Sequence, residues 1–128
     1  MNVSDTATKK KSLLAIIEFG GYPNFSPLYQ KAGYQVEVAG SVRKALALIR
    51  KLSPEVIVAE FNYQSDFRDR TSNLESLLAV VERIPNVKVI VFYDKEYAHQ
   101  LQKLQTRFPN FHSLAYPIDE QLLEQHLN

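Results

Sequence analysis

The sequence predicts an α/β domain, a doubly wound five-stranded parallel sheet with helices on both faces. Two observations carry that prediction. Short apolar runs alternate with longer stretches of helical periodicity, and Gly, Pro, Ser and Asp residues punctuate the boundaries between them. Strands that are each followed by a helix pair in parallel, because right-handed crossovers place the helices over the sheet and bury it.

The elements follow in order. LLAII marks a first strand over Ser12 to Glu18. Gly20, Gly21 and two prolines then delay the first helix, with Ser26 as its expected N-cap and Pro27 at N1. Gly33 should end that helix, and YQVEVAG alternates as strand two. Ser41 caps a helix whose Val42, Ala45, Leu46, Ile49 and Leu52 share one face. Pro54 breaks it before strand three, Val56 to Ala59.

The connection FNYQSDFRDRTS is charged, aromatic and aperiodic. Ser72 or Asn73 is the expected cap of a third helix, with Leu74, Leu77, Leu78, Val81 and Ile84 as its buried stripe. Pro85-Asn86 turns into strand four, VKVIVF. A fourth helix is expected from Lys95 to Phe108, burying Tyr97, Leu101, Leu104 and Phe108. HSLAY is a short fifth strand, and Asp119 caps a last helix of two turns.

Bulk properties narrow the function classes. A chain of 128 residues fits one ordinary domain. Residues 1–11 are expected to be a mobile tail and 12–128 a single domain. With 15 Lys+Arg against 14 Asp+Glu, the net charge of +1 gives no general attraction to nucleic acid or to an anionic membrane. The absence of cysteine excludes disulfides, thiol catalysis and thiolate metal sites, and suits a reducing cytoplasm. The run SLLAIIEFGG is too short for a signal peptide or a membrane helix.

In sheets of this kind function gathers at the carboxyl edge of the strands. There the segment PEVIVAE climbs through apolar residues to a single carboxylate, Glu60, which is costly to keep beside a core. Glu18, Phe19, Phe61, Tyr93, Asp94 and Tyr116 fall on the same edge.

The segment GYQVEVAGSVRKALALIRKLSPEVIVAE, residues 33–60, resembles the second strand, second helix and third strand of response-regulator receiver domains, the CheY-like, flavodoxin-like family of bacterial two-component signalling. The resemblance continues through VKVIVFYD and LAYPIDEQLLEQHL, where the family places strands four and five. It covers roughly residues 12 to 127 and implies the strand order 2-1-3-4-5.

The family's phosphorelay chemistry moves a phosphoryl group from a histidine kinase to an aspartate at the end of strand three. Two acidic residues after strand one hold magnesium, a Thr or Ser follows strand four, and a Lys follows strand five. By that resemblance the positions here are Glu18 and Phe19, Glu60, Tyr93 and Tyr116, and each departs from the pattern. A glutamate moves the attacking oxygen by on the order of 1 Å, enough to cost about 100-fold through misalignment. Phe19 removes a magnesium ligand, and Tyr116 removes the cation that neutralises developing charge. The resemblance therefore implies a pseudo-receiver.

Several features have a functional and a plain structural reading. Glu60 is either a fixed stand-in for a phosphorylated aspartate or an inherited carboxylate satisfied at the sheet edge. Glu18 and Glu60 are expected to face one another, raising the pKa of one. No metal is expected, and a cation would have to use Glu18, Glu60 and Asp94. His99 and His126 read as solvated helix residues and His112 as a strand-edge residue. Phe67, Arg68 and Arg70, with Phe61 and Tyr63 near them, either anchor a partner or close their loop over the sheet. Tyr93, Tyr97 and Tyr116 are expected to cluster, as a contact surface or as core packing.

The expected function is a phosphorylation-independent signalling domain of the cytoplasm that acts by binding another signalling protein or by forming a homodimer. No cofactor, enzymatic activity, nucleic acid or membrane is expected. The alternatives are a receiver that still accepts a phosphoryl group on Glu60, and a small-ligand or nucleotide sensor using the crevice at the carboxyl edge.

Overall fold

Alternating inward faces of one sheet organise the molecule. The computed structural model describes residues 11–18, 20–62 and 74–128. The strands are β1 (Lys11–Ile16), β2 (Tyr34–Ala39), β3 (Val56–Glu60), β4 (Lys88–Tyr93) and β5 (Phe111–Ala115). All neighbours pair in parallel, in the order β2-β1-β3-β4-β5. The helices are α1 (Ser26–Lys31), α2 (Val42–Leu52), α3 (Glu75–Val81), α4 (Ala98–Arg107) and α5 (Glu120–Leu127). The expected fold class and strand order are what the structure shows.

Side chains of a strand point to opposite faces in turn. Leu14, Ile16, Ile57, Ala59, Val89 and Val91 therefore meet α2, α3 and α4 on one face. Leu13, Ala15, Val56, Val58, Ile90 and Phe92 meet α1 and α5 on the other. Both faces of β3 are buried along its whole length, which explains why it reads as an unbroken apolar run. Each fully buried Leu or Ile contributes roughly 1.5–3 kcal/mol of transfer free energy.

Local signals fix most boundaries. The Ser41 hydroxyl accepts from the Lys44 N–H and starts α2. Ser53, in the left-handed region at φ 48, closes that helix before Pro54. Gly33, at φ 99, ends α1 as expected. The carboxylate of Asp119 accepts from the N–H groups of Gln121 and Leu122 and caps α5.

Some boundaries differ. Ser26 is the first residue of α1 and not its cap. Asn24 takes the neighbouring role by accepting from the Ser26 N–H at 2.9 Å, because an Asn side chain reaches two residues ahead. Strand β1 stops at Ile16, two residues before Glu18, and β3 extends one residue beyond Ala59 to take in Glu60. The fourth helix opens with a 3-10 turn over Lys95–Tyr97 before α4. Ser72 and Asn73, the expected caps of the third helix, lie outside the described residues, as do residues 1–10.

The amino edge of the sheet holds a pair that the sequence does not announce. The rings of His112 on β5 and His126 on α5 lie 4.8 Å apart, and the ammonium of Lys88 donates to the His126 carbonyl. Half-buried His126 is thus less solvated than its helical position suggests. Burial first, then His126 and Lys88, pulls the His112 pKa below its ordinary value of 6.5. A lowered folded-state pKa leaves stability intact above about pH 6.5 and removes it as pH falls below that value. Acid titration of unfolding is expected to show this loss, and His112→Gln to flatten it.

Candidate functional site

The site is the carboxyl edge of the sheet around Glu60. Glu60 shares a face of β3 with Val56 and Val58, so its side chain turns toward the α1 and α5 side of the sheet. Only 5% of it is exposed, and it is the one charged residue among the described residues that the fold buries to this degree. In register beside it on β4 stands Phe92.

Aromatic rings close over this position. Gly20, at φ 78, permits the turn that carries the chain from β1 back across the sheet edge. Tyr22 then packs 5.6 Å from the Phe92 ring and meets Tyr116 edge-on at 5.7 Å. Phe25 approaches Phe92 from the α1 side, also edge-on, at 5.7 Å. Edge-to-face and tilted rings at these separations are favourable contacts. The crevice they leave, lined by Tyr22, Phe25, Val58, Glu60 and Phe92 among others, has a volume of about 20 Å³. That is room for roughly one water molecule.

The electrostatics of Tyr22 report the same arrangement. Its phenol is pushed up to about 12, first by burial and then by the negative charges of Glu60 and Asp94. Two carboxylates therefore act on a neutral phenol, whose ring packs against Tyr116, the position at which the resemblance places a lysine.

The remaining edge residues have local employment. Glu18 accepts from the Val42 N–H at 3.1 Å, at the first turn of α2. An anion is stabilised there because the helix presents orphan N–H groups and the positive end of its dipole. This engagement draws one oxygen of Glu18 toward the β2 side, whereas Glu60 lies on β3. Asp94 accepts from the Glu96 N–H and caps the 3-10 turn.

Glu18, Glu60 and Asp94 are the residues that a cation at this edge would use. Among the described residues no three His, Cys, Asp or Glu side chains are placed to hold a metal ion.

The tyrosines also divide. Tyr93 and Tyr97 pack against the core on the α2, α3 and α4 side, while Tyr116, 46% exposed, leans on Tyr22. The main chain holds Tyr116 to β4 through its N–H, which donates to the Tyr93 carbonyl at 2.8 Å. Phe61 is not an exposed anchor: it is 2% exposed and belongs to the core, its N–H bonded to the Phe92 carbonyl. The chain passes from β3 into the loop with this ring turned inward. Phe19, Tyr63, Phe67, Arg68 and Arg70 lie outside the described residues.

Tyr22, Phe25 and Phe92 are site residues that the sequence reading passed over. A signal existed. Alternation along Ile90 and Phe92 matches alternation along Val58 and Glu60, so pairing of β3 with β4 puts Phe92 beside the carboxylate. Tyr22 and Phe25, three apart in GYPNFS, then fall over the same edge.

No family model matches the chain, and no curated protein does. Solved structures do match it. A response regulator receiver domain protein from Clostridium thermocellum superposes with a TM-score of 0.71 at 19% identity, covering 92% of this chain and 91% of that one. The chemotaxis protein CheY4 of Vibrio cholerae gives 0.70 at 21% identity, with 92% and 96% covered. A response regulator receiver protein from Sinorhizobium medicae gives 0.69 at 17%, with 94% and 96% covered. The chain has the receiver-domain fold.

Proposed function

We propose that this chain is a receiver-like domain of two-component signalling whose edge carboxylate does not accept a phosphoryl group, and that it acts in the cytoplasm by binding another protein. One observation carries the reading: Glu60 is buried and shares with Tyr22, Phe25 and Phe92 the lining of a crevice of about 20 Å³. Phosphoryl transfer needs an in-line approach and charge-neutralising groups around the transferred oxygens. A space for one water admits neither, and Tyr22, which lines it, presents a neutral phenol. Signal then depends on the surface as folded and not on a covalent switch. In the receiver fold an output without a second catalytic step is a binding event, and its energy resides in a few buried anchors.

The test is exposure of the full chain to acetyl phosphate and magnesium, followed by intact-mass analysis. The expected result is an unchanged mass. Incorporation of one phosphoryl group, lost in Glu60→Ala, would overturn the proposal in favour of a working receiver.

A further inference from the structure

A groove runs along the opposite, amino edge of the sheet, between the ends of α2 and α3. It has a volume of about 850 Å³, is partly open to solvent, and is lined mainly by apolar atoms. Helix α3 explains its character. Leu77, Leu78 and Val81 face the core, but Val80, 40% exposed, turns the other way and contributes to the groove wall. The helix is thus apolar on two sides, one more than its own fold uses.

Charge defines the rim. Arg50 at the end of α2 and Arg83 just beyond α3 both line the groove. Among the described residues neither guanidinium lies in an ion pair, the one salt bridge there being Arg107 to Glu75. The groove's carboxylate, Glu55, is engaged with the Ser12 N–H at 2.9 Å. Two unpaired arginines beside an apolar floor favour carboxylates flanking an apolar side chain, since a guanidinium binds carboxylate through two parallel hydrogen bonds. The chain's own first residues have the wrong charge to serve, carrying Lys9 and Lys10.

We infer that this groove docks an acidic segment of a partner protein, with an apolar side chain of that segment seated against Val80 and carboxylates paired to Arg50 and Arg83. Its position at the amino edge makes it independent of Glu60 and of the reading of the carboxyl edge. A partly open groove suits a peptide segment better than an enclosed small molecule.

The experiment selects a displayed library of random 12-residue peptides on the full chain, then maps an enriched synthetic peptide by amide NMR shifts. The expected result is enrichment of sequences that combine Asp or Glu with Leu, Ile or Phe. Shifts should gather at residues 49–55 and 79–87, and binding should weaken at least about 10-fold in Arg50→Glu/Arg83→Glu, a loss of about 1.4 kcal/mol by the conversion constant. Val80→Asp, a surface change that leaves the core intact, should weaken binding as well. Failure to enrich, a basic or uncharged consensus, or shifts elsewhere would overturn the inference. So would concentration-dependent shifts at this groove without peptide, which would assign it to a second copy of the chain, or equal competition by an apolar carboxylate such as decanoate.

Discussion

Phe92→Ala is expected to lower the unfolding free energy by about 3–5 kcal/mol, the range for removing a fully buried aromatic ring. Phe92 is 4% exposed and sits at the centre of the edge packing, with Tyr22 and Phe25 both against it. Its loss takes away the transfer free energy of the ring and leaves a hole that neither neighbour can fill without abandoning its own contacts. It also opens the space beside Glu60, since the two residues are in register. Urea denaturation of the two proteins checks the value. Leu122→Ala serves as a comparison, because Leu122 is largely exposed on α5 and its truncation should cost within about 0.5 kcal/mol.

The second large effect concerns Tyr22. Removing its ring in Tyr22→Ala should cost about 2 kcal/mol, less than Phe92 because the residue is only half-buried. The phenol itself is tested by alkali. Its pKa stands at about 12 in the folded chain against an ordinary value of 10. A raised folded-state value means that the contribution is complete below pH 10 and is lost as pH climbs from 10 toward 12. Tyr22→Phe keeps the packing and removes that part of the alkaline loss. Burial also raises Tyr29 and Tyr34, so the difference between the native chain and Tyr22→Phe is the quantity to measure. Ultraviolet titration should place the Tyr22 ionisation near 12, and Glu60→Gln should bring it down by removing one of the two charges that raise it. An unchanged value in Glu60→Gln would show that the carboxylate does not face the ring.

Much of this fold was legible because its signals are local. Ser41 and Asp119 cap helices where a hydroxyl or carboxylate precedes an apolar period, and Gly33 closes one where only glycine takes φ 99 without strain. The unbroken apolar run of β3 announced a strand buried on both faces. The site was legible in part. Glu60 stood out as a charge at the end of such a strand, but the rings that line its crevice come from the β1–α1 connection, α1 and β4, which meet only through the sheet register. Tyr22 follows two glycines in a segment without period, and nothing near it in sequence names Phe92 as its neighbour. The Glu18 partner was hidden for a similar reason: Val42 lies 24 residues away and donates a backbone N–H, which no side-chain pattern advertises.

The burial of Glu60 also bears on whether it imitates a phosphorylated residue. A carboxylate carries one negative charge and two oxygens, fewer than a phosphate presents. Its charge acts on the Tyr22 phenol, whose pKa it helps to raise. Tyr116, 46% exposed, packs edge-on against that ring, so Tyr22 stands between the crevice of the buried carboxylate and the surface.

The most direct measurement on the central claim is a titration of the full chain with beryllofluoride and magnesium, followed through the amide NMR signals of Glu18, Glu60, Tyr93 and Tyr116. A sealed edge predicts no saturable shift at these positions in the native chain. Localised, saturable shifts that disappear in Glu60→Ala would contradict it, showing that the crevice opens to a phosphoryl-like group and that the aromatic cover is a gate and not a seal.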